Sequence, residues 1–164
     1  MRLYGVTGWK NSGKTTLMER LVAEFSGRGL SVSTVKHAHH ATEIDHEGRD
    51  SFRHRQAGAR EVIVASPVRW ALMHELRGAA EPPLAALLAR LSPVDLVLVE
   101  GYKREAHPKI EVHRQATGRP PLAPQMRGIR ALASDAPPPG LALPVFALDD
   151  IAGIAGFILA EVGL

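Results

Sequence analysis

Apolar and polar positions change period several times along the chain, and each change marks an element. Leu3–Thr7 is a short apolar run that predicts a buried strand. From Lys14 to Phe25, Leu17, Leu21, Val22 and Phe25 recur at helical spacing, and Gly27 and Gly29 end the pattern. Leu30–Lys36 alternates and predicts a second strand, followed by a polar, His-rich segment from His37 to Gly48. Arg49–Ala59 predicts a helix, and Glu61–Ala65 and Arg69–Glu75 two strands turning at Ser66-Pro67. Pro82–Leu91 predicts a helix with its prolines in the first turn. Asp95–Val99 is the clearest buried strand; Lys109–His113, Ile129–Ala133 and Val145–Leu148 are further ones. A final helix is expected from a cap at Asp149 or Asp150 to about Glu161. Thr117–Arg127, rich in Pro, Gly and Arg, reads as a mobile loop, and Ala136–Gly140 as a proline-rich connector.

Strands alternating with helices predict an α/β fold, a mainly parallel sheet flanked by helices in three layers. At 164 residues the whole chain, 1–164, is expected to form a single domain. In such a sheet ligands gather at the carboxyl ends of the strands, which brings together the segments following Thr7, Lys36, Val99 and Ala133.

Composition narrows the chemistry. There is no cysteine, which removes disulfides, thiolate metal sites and cysteine nucleophiles, and fits a cytoplasmic setting. The net charge of +3 suits an anionic ligand, but the basic residues are scattered and aromatics few, so a nucleic-acid surface is not favoured. The apolar run from Ile151 to Leu159 contains two glycines and is too short to span a bilayer, so a soluble protein without membrane contact is expected.

The sharpest signal is Gly8-Trp9-Lys10-Asn11-Ser12-Gly13-Lys14-Thr15, which satisfies G-x-x-x-x-G-K-[ST] between a strand and a helix. The spacing follows from the chemistry of a phosphate loop. Successive backbone N–H groups must point inward at the phosphates, and a side chain at Gly13 would obstruct the approach. Lys14 brings a cation to the β- and γ-phosphates, the Thr15 hydroxyl can ligate Mg²⁺, and the helix adds its positive dipole end. Gly8, Asn11, Ser12 and Thr16 complete the predicted cradle. Lys10 reads as a solvated lysine. In one class of dimeric nucleotide switches a lysine reaches the partner's nucleotide, but it directly follows the first glycine, where Trp9 stands here.

Asp95-Leu96-Val97-Leu98-Val99-Glu100-Gly101 is an apolar strand with an acid at each end. At a rise of about 3.3 Å per residue the two carboxylates stand roughly 15 Å apart and cannot share an ion. Glu100, at the carboxyl end, is the one expected to hold Mg²⁺ or a water beside the loop. Lys14 and Glu100 are thus the candidate catalytic pair. No arginine finger or base is expected beside the loop in cis, though Arg53, Arg55 or an arginine of the 117–130 segment could be supplied in trans. In the His-rich segment Lys36 ends a strand and can face the phosphates, Asp45 and Asp50 can assist Mg²⁺ or hold the loop, and the clustered histidines leave transition-metal binding open.

The phosphate loop, Thr34–His40, Asp45–Ser51, Arg55–Ala59, Asp95–Lys103 and Pro108–Glu111, in that order, resemble the molybdopterin-guanine dinucleotide biosynthesis adaptor family, MobB. The resemblance covers roughly residues 1 to 150, with Arg49 where lysine is common. It implies a homodimeric GTP-binding protein, Mg²⁺-dependent and weakly hydrolytic. Its implied partner is a MobA-like molybdopterin guanylyltransferase, the enzyme that joins a guanine nucleotide to molybdopterin, with molybdopterin a further candidate ligand. Carried onto this chain, it assigns Gly13, Lys14, Thr15 and Thr16 to phosphate and Mg²⁺, and Glu100 and Gly101 to the second acidic site. Lys36, His37, Asp45, Asp50 and Lys103 line the same edge. The N-K-x-D guanine signature is absent, and Asp135, after the strand Ile129–Ala133, is the candidate carboxylate for guanine. Two other functions fit the motifs: a small-molecule kinase with Thr117–Arg127 as lid, and a metal-delivering GTPase using His39 and His40.

Overall fold

The computed structural model describes residues 1–38 and 43–164. In chain order the elements are β1 (Arg2–Thr7), α1 (Lys14–Gly27), β2 (Val32–Lys36), α2 (Asp50–Gln56), β3 (Glu61–Ala65) and β4 (Trp70–His74). They continue as α3 (Leu84–Leu88), β5 (Leu96–Glu100), β6 (Lys109–His113), β7 (Ile129–Ser134), β8 (Val145–Phe146) and α4 (Ile151–Val162). The chain packs as two compact units, one made of residues 1–37 and 88–164, the other of residues 38–87.

The larger unit is a six-stranded sheet in the order β2-β5-β1-β6-β7-β8, with every neighbouring pair parallel. Tyr4, Val6, Leu98, Ile110 and Ala131 on one face meet Leu17, Leu21 and Phe25 of α1 and Ile154 and Ile158 of α4. Each large apolar side chain buried there contributes about 1.5–3 kcal/mol. α1 stops where Gly29 takes a left-handed φ of 84° and the Leu30 N–H reaches back to the Phe25 carbonyl at 3.1 Å. Leu30 is thereby spent on the turn and the Ser31 N–H on Asp95, so β2 starts at Val32 and not at Leu30. At the other end of the chain, Asp150 caps α4 by accepting the Gly153 N–H.

The other face of the sheet carries Gly5 and a set of buried polar residues in alternation: Thr7 on β1, Lys109, Glu111 and His113 on β6, and Ser134 on β7. Parallel β5 and β6 flank β1, so the chain must return to the sheet's starting edge, usually through a dozen or more residues. Here residues 101–108 suffice, running as an irregular strap. The strap explains the glycine in β1: a Cβ at Gly5 would sit 2.6 Å from His107 Nε2 and 2.8 Å from Lys109 Cβ. Lys109, fully buried, donates to the Glu105 carbonyl of the same strap.

Thr117–Arg127, expected to be mobile, is fastened. The fully buried Glu111 carboxylate accepts the N–H groups of Leu122 (2.7 Å) and Ala123 (2.8 Å), and His113 Nε2 lies 3.1 Å from the Arg119 carbonyl. Burial pushes the Glu111 carboxyl pKa up, against the two backbone donors that favour its charge.

In the smaller unit β3 and β4 form the expected antiparallel hairpin, and Val62 and Met73 face its core. Arg55 is buried, bonded to both Glu43 oxygens at 2.8 Å, with Glu75 at 3.4 Å and Asp45 at 3.9 Å. A guanidinium out of water requires such pairing. α2 and α3 are shorter than the pattern predicts. Pro83 cannot donate within a helix, and its carbonyl accepts the first α3 bond, from Ala86 N. Among the described residues no helix is long and apolar enough to cross a membrane.

Candidate functional site

Gly8-Thr15 leaves the carboxyl end of β1 and closes into α1. Gly8 has φ 146° and Gly13 φ 98°, conformations that L side chains rarely adopt. A Cβ on Gly8 would also overlap the Val112 carbonyl oxygen. Asn11 is left-handed too, at φ 64°. The loop turns on itself through the Ser12 N–H to the Trp9 carbonyl, 3.3 Å. Lys14 Nζ donates to that same carbonyl at 2.6 Å, so the ammonium is folded back over its own loop. Ser12 is buried, with its Oγ lacking a hydrogen-bond partner, and the first turn of α1 carries no acidic residue. Thr15 and Thr16 are exposed on that turn, while Lys10 points to solvent. An orphaned hydroxyl, an ammonium bonded among the described residues to a carbonyl alone, and an open helix dipole end form a donor set suited to a phosphate group.

Around the loop the sheet assembles most of the residues the sequence singles out. Lys36 and Glu100 are register partners on β2 and β5, and their side chains pair at 3.4 Å. Lys36, expected to face phosphates, therefore also neutralises Glu100. Burial lowers the Lys14 pKa; Glu100 works against that shift, while the ammonium groups of Lys103 and Lys36 add to it. Glu100, Lys103 and Lys36 thus all stand within electrostatic reach of Lys14. Gly101, at φ 92°, brings the backbone past His37: a Cβ there would lie 3.2 Å from His37 Cβ. The His37 ring packs on Tyr102, 4.8 Å between centroids. Glu100, at the carboxyl end of β5, and the exposed Thr15 are the residues whose oxygens could serve an ion bound with a phosphate. Among the described residues no group of three or more His, Asp or Glu could hold a metal ion, and His39 and His40 lie outside those residues. Asp95, at the far end of β5, accepts from Ser31 N–H (2.8 Å) and Oγ (2.6 Å), which hold its carboxyl below the usual carboxylate range.

Asp45 and Asp50 belong to the smaller unit. Asp45 accepts from its neighbour His46 N–H (2.9 Å) and from Ser51 Oγ (3.1 Å), pinning the start of α2, whereas Asp50 is exposed with Arg53 at 3.8 Å.

Two residues that the sequence reading passed over stand at the loop. Trp9 donates its indole N–H to the Pro120 carbonyl at 2.8 Å and carries Lys103 over its ring at 4.3 Å, so the fastened segment is tied to the phosphate loop. Arg114, the first residue after β6, lies against Gly13, with Nε 3.1 Å from where a Cβ would be. An arginine does therefore stand beside the loop in cis, contrary to expectation. Its position at a strand's carboxyl end was the available signal. Asp135 bonds the Gln115 N–H at 2.9 Å and lines the same cleft as Gly13, Thr16 and Arg114.

A family model described as molybdopterin guanine dinucleotide synthesis protein B, MobB, matches residues 3–135. A molybdopterin-guanine dinucleotide biosynthesis adapter protein of Escherichia coli (strain K12) is 41% identical over 162 residues, 96% of this chain and 91% of that protein. One from Haemophilus influenzae is 45% identical over 118 residues, 72% of this chain and 66% of the other. The crystal structure of a MobB protein homolog from Bacillus stearothermophilus superposes with a TM-score of 0.73 at 34% identity, covering 99% of both chains. The structure of Bacillus subtilis MobB gives 0.79 at 26% identity, covering 99% of this chain and 98% of the other. With the phosphate loop at the head of a matching parallel sheet and the family pattern spanning most of its length, the chain belongs to the MobB family.

Proposed function

We propose that this chain is an adapter in molybdopterin-guanine dinucleotide biosynthesis that binds GTP with Mg²⁺ and hydrolyses it slowly. The observation that carries the reading is the donor set of the loop: Lys14 held in place, Ser12 Oγ unpartnered and Glu100 within electrostatic reach. Thr15 and Glu100 hold the ion, and Gly8, Asn11, Gly13 and Thr16 shape the cradle. Turnover is slow because Glu100, the carboxylate assigned to the loop, is already engaged by Lys36 and is a weak acceptor for a proton from water. The names of the relatives support the adapter role, with a MobA-like guanylyltransferase as the enzyme assisted, molybdopterin as a further ligand and the cytoplasm as the setting.

A second copy of the chain is the proposed cover for the β3–β4 hairpin, whose Ile63, Val68 and Trp70 are 65%, 84% and 67% exposed. Calorimetric titration with GTP and ATP, with and without Mg²⁺, tests the nucleotide reading, and light scattering tests the dimer. Lys14→Ala should weaken GTP at least about tenfold. Unchanged affinity in that variant would refute the phosphate-loop assignment.

A further inference from the structure

A phosphate loop fixes where the phosphates go and leaves the base to be placed by whatever flanks the first turns of its helix. Beside α1, the carboxyl ends of β6, β7 and β8 enclose a cleft of about 440 Å³, within the range of small-ligand pockets. Four charged side chains line it, Arg20 of α1, Arg114, Asp135 and Asp149, together with Thr16 and Leu148. They are not equivalent. Asp135 spends Oδ1 on the Gln115 N–H, and so fastens the turn that carries Arg114. Arg114 bridges the cleft and the loop through its contact with Gly13, and no carboxylate pairs with it among the described residues. Asp149 is held by its backbone, whose carbonyl accepts the Ile151 N–H at 2.8 Å, while Asp150 takes the cap of α4. The Asp149 carboxylate is thereby left exposed, with neither oxygen engaged by a described residue.

Guanine offers two adjacent donors, N1–H and the 2-amino group, where adenine offers an acceptor and a C–H. A carboxylate takes that pair bidentately, one donor to each oxygen, and most readily where neither oxygen already accepts a bond. We infer that Asp149, and not Asp135, reads the guanine base. In this arrangement Arg114 closes the seam between base and phosphates, and Asp135 acts as the positioning residue of the Arg114 turn. The assignment rests on the GTP reading above and replaces the sequence-based choice of Asp135.

The experiment is calorimetry on the full chain with GTP, ITP, XTP and ATP in Mg²⁺. ITP lacks the 2-amino group, and wild type should bind it about tenfold or more weakly than GTP. In Asp149→Asn the amide can accept from N1–H and donate to the xanthine 2-oxygen. The GTP-to-XTP affinity ratio should then fall by about a hundredfold or more. Asp135→Asn keeps an oxygen for Gln115 and should leave that ratio near wild type, while Asp135→Ala lowers all four affinities together. Arg114→Ala should likewise weaken all four by a common factor. A ratio unmoved by Asp149→Asn, or a switch to XTP produced by Asp135→Asn, overturns the assignment. Equal wild-type affinity for GTP and ATP, with both lost in Lys14→Ala, would overturn the guanine reading and this assignment with it, leaving the phosphate loop intact.

Discussion

Acid should destabilise this fold through one ring. His107, in the strap, lies over Gly5 with its Nε2 buried without a partner, and burial, reinforced by the neighbouring Lys109 ammonium, lowers its pKa from 6.5 to about 4. In the unfolded chain the imidazole takes up a proton below 6.5, whereas the folded protein resists until about 4. The unfolded state therefore binds more protons between those values, and stability is full above the upper one and lost as pH falls toward the lower. Linkage for this single group gives a loss on the order of 2 kcal/mol at about pH 5, and water at the partly exposed ring reduces it to about 1–2 kcal/mol. Urea unfolding of wild type and His107→Phe, at about pH 8 and about pH 5, isolates this contribution. Phenylalanine keeps a ring over Gly5 but cannot titrate. Other groups, including Glu111 with its opposite sign, are common to both proteins and cancel in the difference. Wild type should lose about 1–2 kcal/mol more than the variant across that interval. Parallel losses, or a larger loss in the variant, would refute the reasoning.

Three further outcomes follow from the same contacts. Gly5→Ala should cost about 1–3 kcal/mol, read as a lowered Tm, because its Cβ meets His107 and Lys109 at under 3 Å. Glu111→Leu strips the acceptor from Leu122 and Ala123 and should raise trypsin cleavage after Arg127 by about tenfold while α1 stays protected; an unchanged cleavage rate counts against the tether. Glu100→Gln should spare GTP binding in EDTA yet remove the gain from Mg²⁺, and a titration showing magnesium dependence intact would remove Glu100 from the ion's coordination.

The phosphate loop was legible in the chain because its requirements are local. A strand, two glycines at fixed spacing, Lys14, Thr15 and a helix-period run are neighbours in sequence, and local sterics and backbone geometry dictate them. The parallel sheet was legible for a similar reason, since strand and helix periods alternate. Even the place of Glu100 at the carboxyl end of β5 followed from the polarity at the end of one apolar run. The tertiary structure alone decided what is assembled from distant segments. Gly5 looked like any strand glycine until the strap brought His107 across it. Thr117–Arg127 had the composition of a mobile loop, and only the fold supplied Glu111 and Trp9, from other elements, to hold it. Arg114, Asp135 and Asp149 sit on three different strand ends, and nothing local distinguishes a carboxylate that fastens a turn from one left open to a ligand. That distinction depends on which backbone donors lie within about 3 Å, a property of packed strands rather than of residue order.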